Sequence, residues 1–288
     1  MVRRMRIVTT EYPVYNVWIQ RPFEFDGYAF IPSGGMDGYQ ERLRVLLASP
    51  EDSQTIQVTR IAEEGVATTP SYLWDGGTAI DDFMLLFSVA QGRNVHYKEA
   101  TWTAREGAQT VATGVSSQYT SRALVRGEQA VSPFEVEPYL QKAVERVRTP
   151  GWLDDTAFAS GAFWYIESLS SANYEVRYLS AWNGLMAIVR RFFLRNGEGS
   201  GDAASPGEMI LAYRDANEYD FILDQHPPLW EELAKDFLVR HPKERYFIPR
   251  DAYIQARKLQ FVLLLSLLHQ VDFGQVARRD HIMRAIRR

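Results

Sequence analysis

Glu135-Val136-Glu137-Pro138-Tyr139-Leu140-Gln141-Lys142-Ala143-Val144-Glu145-Arg146-Val147 is the stretch on which the fold turns. Val136, Leu140, Ala143, Val144 and Val147 recur at the three- and four-residue spacing that places them on one face of a helix. Pro150-Gly151 then stops it. Upstream, the chain reads as short strands around one helix. Downstream, it reads as helices almost to the end. The fold class is therefore α+β: a β-rich N-terminal domain over 1–132, followed by an α-helical bundle over 133–288.

Working back from that stretch, Val14 to Ile19, Gly27 to Ile31, Leu43 to Leu47 and Thr55 to Ile61 are β-branched and aromatic runs. Pro32-Ser33-Gly34-Gly35 and Ser49-Pro50-Glu51-Asp52 separate them. Asp81 to Ala90 is helical instead. Thr78 or Asp81 caps it, two acids suit its first turn, and Gly92 ends it. Asn94 to Tyr97 and Ala100 to Thr103 return to strand, and Ser116 to Val125 is ambiguous.

Working forward, residues 152–170 predict one helix with Phe158, Ala162, Tyr165 and Leu169 on a stripe. Residues 174–195 predict the clearest helix, with Tyr178, Trp182, Leu185, Val189 and Phe192 in register. Asn196 to Asp202 is a glycine-rich loop. Pro227-Pro228 opens a helix through Val239. Pro249-Arg250-Asp251 opens another to about Val271, apolar all round at its centre and so expected to be buried.

The chain has 288 residues, a formal net charge of -4 and no cysteine. This excludes disulfides, thiolate catalysis and Cys-ligated zinc, and the mild charge argues against a uniformly basic surface for nucleic acid. The basic start Met1 to Val8 meets Tyr12-Pro13 before any long apolar run, so no signal peptide is expected. Phe261 to Leu268 is far short of the roughly 20 residues a membrane span needs. A cytoplasmic protein with no membrane association is expected.

Two stretches resemble a known family. Asp81-Asp82-Phe83-Met84-Leu85-Leu86-Phe87-Ser88-Val89-Ala90-Gln91-Gly92-Arg93 resembles the segment closing the β-rich half of ApeA-like proteins. Ser180-Ala181-Trp182-Asn183-Gly184-Leu185-Met186-Ala187-Ile188 resembles the second core helix of their HEPN domain. HEPN domains are four-helix bundles of ribonuclease toxins and phage-defence proteins. The resemblance implies a prokaryotic defence-type protein that binds nucleic acid, RNA above all, through the bundle. It also implies a homodimer; other defence-complex subunits are the partners expected if the protein is an assembly subunit instead. Active members carry an Arg followed four to six residues later by a His. Here Arg240 and His241 are adjacent, and Met186 stands near the place of a common family glutamate.

Arg240-His241-Pro242-Lys243-Glu244-Arg245 is the first place to look for chemistry. RNA cleavage without metal needs a base near the 2′-hydroxyl and cations near the phosphate. His241 would serve as base or acid, with Arg240 and Arg245 as phosphate stabilisers. The same residues also suit a plain helix C-terminus. Arg278, Arg279, Arg284, Arg287 and Arg288 form a candidate nucleic-acid patch, or else a solvated terminal helix docked by Ile282 and Ile286. A non-catalytic sensor or assembly subunit is the alternative to a divergent ribonuclease.

The remaining candidates read as structural. Asp224 with His226 is too few groups for a metal site. His269 sits in the apolar helix and His96 in a strand. Asp81-Asp82 and Glu231-Glu232 suit helix starts. Trp18, Phe23, Phe25, Tyr28 and Phe30 suit a sheet core more than a stacking platform. Neither a metal nor a cofactor is expected.

Overall fold

The computed structural model describes residues 5–33, 54–117, 131–196, 204–217, 230, 231, 233 and 252–273. The protein is α+β, with an antiparallel sheet in the N-terminal half and helices in the C-terminal half. It divides into two compact units, one of Met1–Ala123 with Gln129–Gln141, the other of Leu124–Glu128 with Lys142–Arg288.

In the first unit, β1 (Arg6–Tyr15), β2 (Phe23–Phe25), β3 (Tyr28–Pro32), β4 (Gln54–Glu63), β5 (His96–Tyr97), β6 (Glu99–Glu106) and β7 (Gln109–Ser117) form one sheet. Its order is β2-β3-β4-β1-β6-β7, with β5 also on β1. The strand expected at Val14 to Ile19 lies earlier. Residues 6–15 pair, while Val17, Trp18 and Ile19 are buried outside the ladder. Apolar composition alone does not distinguish a buried loop from a buried strand. Pro13, which has no N–H to donate, falls in the gap where β6 has let go after Glu11 and β5 begins at Val14.

α1 (Ala79–Gln91) lies against the sheet, every residue except Asp81 buried. Phe83 meets Phe25, Tyr28 and Phe30, and Phe87 meets Phe30 at 5.7 Å. Each such aromatic contributes about 1.5–3 kcal/mol by leaving water. Thr78 is the N-cap in a capping box with Asp81, and Gly92 closes the helix at φ 58. The chain from Val131 returns over α1: Val131 N–H donates to Ala90 O, and the buried Tyr139 hydroxyl to Leu86 O. Thus Trp18, Phe23, Tyr28 and Phe30 are core, as their composition suggested, while Phe25 is only half-buried.

α2 (Val136–Val147) carries the stripe that opened the sequence reading, with Val136, Leu140, Ala143, Val144 and Val147 all buried. The division between the two units falls inside it. In the second unit the single helix expected over 152–170 is two, α3 (Trp152–Thr156) and α4 (Phe158–Ser170). Ala157 takes φ 54 between them, a left-handed conformation costing a non-glycine residue roughly 1–2 kcal/mol. Local bonds hold it: the Thr156 hydroxyl donates to Trp152 O and accepts from Phe158 N–H, while Gln270 Nε2 donates to Thr156 O. The break brings the Trp152 and Phe158 rings to 5.2 Å.

α5 (Tyr174–Arg195) and α7 (Ala252–Gln270) pack on α4. Glycine sets their approach. A Cβ on Gly184 would meet Leu263 Cδ2 at 2.6 Å, Trp164 Cβ at 3.0 Å and Gly161 O at 3.2 Å. A Cβ on Gly161 would meet Ile188 Cδ1 at 2.7 Å. The pairs Tyr174 with Tyr253, Gly184 with Leu263, and Ser168 with Gln260 fix the directions. α5 and α7 run parallel, and α4 runs antiparallel to both. α6 (Pro206–Ala216), which the sequence reading did not place, has its own capping box in Ser205 and Glu208, with Pro206 in its first turn. Among the described residues no helix is long and apolar enough to cross a membrane.

Candidate nucleic-acid interface

Because α5 and α7 are parallel, their N-terminal ends lie side by side. Each helix N-terminus carries unpaired N–H groups and a partial positive charge. Such an end ordinarily attracts acidic side chains. α5 has Glu175 in its first turn, yet it places Arg177 in its second. α7 brings Tyr253 and Arg257, four apart and therefore on one face. Tyr174 and Tyr253 are 45 % and 48 % exposed, and their rings meet edge to face at 5.0 Å and 76°.

Arg177 is the centre of this group. It is only 8 % exposed. Its Nε donates to Ser171 O at 2.6 Å, and its guanidinium lies over the Tyr174 ring, 4.7 Å from the centroid. Among the described residues, no carboxylate pairs with it and no acceptor meets its two terminal nitrogens. Burial pushes the guanidinium below an arginine's ordinary value. Tyr174 and Tyr253 counter that push, and the charge of Arg257 adds to it. Arginine still holds its proton at neutral pH. The result is a buried cation, two of whose nitrogens meet no described acceptor, with a second cation in the opening turns of the neighbouring helix. The chemistry of that arrangement suits a phosphate or carboxylate.

None of the candidate site residues chosen from sequence belongs to this group. His241, Arg240 and Arg245 lie outside the described residues, as do Arg278, Arg279, Arg284, Arg287 and Arg288. Asp224 and His226 lie outside them too. His269 is half-buried with its ring edge-on to Tyr213 at 6.4 Å. His96 stacks on Tyr15 at 5.5 Å, and Lys98 Nζ sits 4.8 Å from the Tyr15 centroid. Met186 is buried in α5. Glu231 accepts from Arg214.

Asp81 is a cap, as its position suggested, and also accepts from the Tyr97 hydroxyl at 3.2 Å. Asp82 does something its sequence position did not announce. Buried, it takes hydrogen bonds from the Ser71 hydroxyl, Tyr72 N–H and Leu73 N–H and so ties the loop before α1 to the helix. Burial raises its carboxyl above the ordinary range, and these three hydrogen bonds pull it back. Among the described residues no group of three or more metal-ligating side chains gathers.

Tyr174, Arg177, Tyr253 and Arg257 went unnoticed because each looks ordinary on its own helix. The available signal was an arginine in the opening turns of two helices, where the dipole disfavours it. Comparison with protein families, curated proteins and solved structures finds no match for this chain.

Proposed function

We propose that this protein is a defence-type protein that binds RNA through its helical unit. The observation carrying the binding is Arg177: buried, without a described counter-charge, and set with Arg257 at the N-termini of two parallel helices. The defence assignment and the HEPN character of the bundle rest on the resemblance of residues 81–93 and 180–188. In this reading Arg240, His241 and Arg245 supply metal-independent cleavage, Arg278, Arg279, Arg284, Arg287 and Arg288 add phosphate contacts, and the working form is a homodimer.

Two measurements test it. Fluorescence anisotropy with a labelled single-stranded RNA should show binding that weakens steeply with salt, and Arg177→Met should lower the affinity about ten-fold. Degradation of RNA in EDTA should disappear in His241→Ala while the fold is kept. A wild-type protein that binds no RNA at low salt sinks the proposal.

A second reading, a non-catalytic sensor or assembly subunit, is favoured by β7. This edge strand bears no charge from Gln109 to Ser117, exposes Val111 and Val115, and has no described strand on its outer side. An open edge of that kind accepts a partner's strand. Phage protection that survives His241→Ala but not Thr113→Pro would favour this reading over the ribonuclease.

A further inference from the structure

Resting on the RNA-binding reading, we infer that the Arg177 site takes one unstacked nucleotide of a single strand, its phosphate on Arg177 and Arg257 and its base on the face of Tyr253. The ring geometry limits what fits. Arg177 lies over Tyr174 at 4.7 Å and covers one face of that ring. Tyr253 crosses Tyr174 at 76°, so the two rings cannot sandwich a base between parallel faces. Tyr253 is 48 % exposed, and among the described residues its ring contact is with Tyr174. One open aromatic face therefore stands beside the two cations.

A base stacks on a tyrosine without regard to its identity, because every base presents a π-face. A duplex keeps its bases paired and stacked and offers no such face. The phosphate has its own reason to sit here. Arg257 lies one turn beyond Tyr253 on α7, and its charge works against that of Arg177. Both also lie at the positive ends of α5 and α7. A phosphate on Arg177 supplies the counter-charge that no described residue gives it. The site should thus be sequence-tolerant and selective for single strands.

The experiment compares three fluorescent oligoribonucleotides of equal length on the full chain: a single strand, the same strand in a duplex, and a strand abasic throughout. The single strand should bind at least about ten-fold tighter than either of the others. Tyr253→Ala should cost about ten-fold on the single strand and nothing on the abasic one, while Tyr253→Phe keeps wild-type affinity. Arg257→Gln should weaken both and reduce the salt slope by about one. Tyr253 and Arg257 are exposed, so these variants leave the core intact. Equal binding of single strand and duplex, or a silent Tyr253→Ala, overturns the inference while leaving RNA binding in place. Absence of any RNA binding by the wild type overturns both.

Discussion

Asp82 in the sheet unit and Arg177 in the helical unit are the charged side chains buried among the described residues, and they are used in opposite ways. Asp82 accepts from a hydroxyl and two backbone N–H groups of its own loop. Arg177 gives one N–H to a carbonyl and meets no described carboxylate. A buried charge whose partners all come from a neighbouring turn holds that turn in place. A buried charge with donors that no described residue meets, next to another of like sign, suits an anion. The contrast separates a structural acid from a binding cation by their hydrogen bonds, where burial alone would rank them together.

The largest expected effect comes from breaking the frame that makes the contrast possible. Gly184→Val sets branched carbons against the Gly161 carbonyl and Trp164 Cβ, neither of which can turn aside as the tip of Leu263 can. Loss of about 3 kcal/mol is expected, read as a fall in the thermal midpoint together with weaker RNA binding. Unchanged stability would mean that α5 does not lie this close to α4 and α7.

Next comes Asp82→Ala. It leaves two backbone N–H groups and a hydroxyl without their acceptor and should cost about 2 kcal/mol. Chemical denaturation checks this, and hydrogen exchange at Tyr72 and Leu73 should rise. RNA affinity should stay within about two-fold, because the site is in the other unit; the ten-fold effects expected there are the scale for comparison.

Arg177→Met sharpens the comparison from the other side. An apolar chain of similar reach removes a buried cation that has no described counter-charge, so stability should change by no more than about 1 kcal/mol, in either direction. Affinity for RNA should fall. A loss of stability as large as that of Asp82→Ala would make Arg177 structural as well, and the contrast would fail.

The smallest effect concerns His96. Burial, with the charge of Lys98, holds its imidazole below the ordinary value, and Asn94 O opposes them. The folded state therefore binds its proton less readily than the unfolded chain, whose histidine titrates near 6.5. The stabilising contribution is complete above about 6.5 and is lost as pH falls through the lower folded value. The wild-type midpoint should fall more between pH 7 and pH 5 than that of His96→Gln. Parallel curves would show that His96 titrates alike in both states.

Much of the architecture was legible in the residues. The bounds 174–195, the cap at Thr78, the stop at Gly92 and the apolar face of α2 all rest on signals within three or four positions of each other. Thr55 to Ile61 was legible for the same reason, since its alternation is local. Ser205-Pro206-Gly207-Glu208 was an equally local helix start that went unread. What failed depends on distant partners. β1 begins at Arg6 because β6 pairs with it from Arg6 to Glu11 and β4 from Ile7 onward, not because its first residues are apolar. β7 is nearly featureless and is a strand because β6 lies beside it, with Trp102 covering Gly114. Ala157 breaks a helix that periodicity continued, because Thr156 and Gln270 hold the turn.

By itself, then, the sequence determined an α+β protein without cysteine, most of its helix limits, and the faces those helices would bury. Caps, breakers and periodicity act over single turns, and the chain carries them wherever it goes. Only the tertiary structure decided that α5 and α7 lie parallel with their positive ends together. That packing gathers Tyr174 and Arg177 with Tyr253 and Arg257 from the far parts of the helical half. No local rule encodes that meeting, because its cause is the close approach at Gly161 and Gly184, which glycine permits and only the assembled bundle uses.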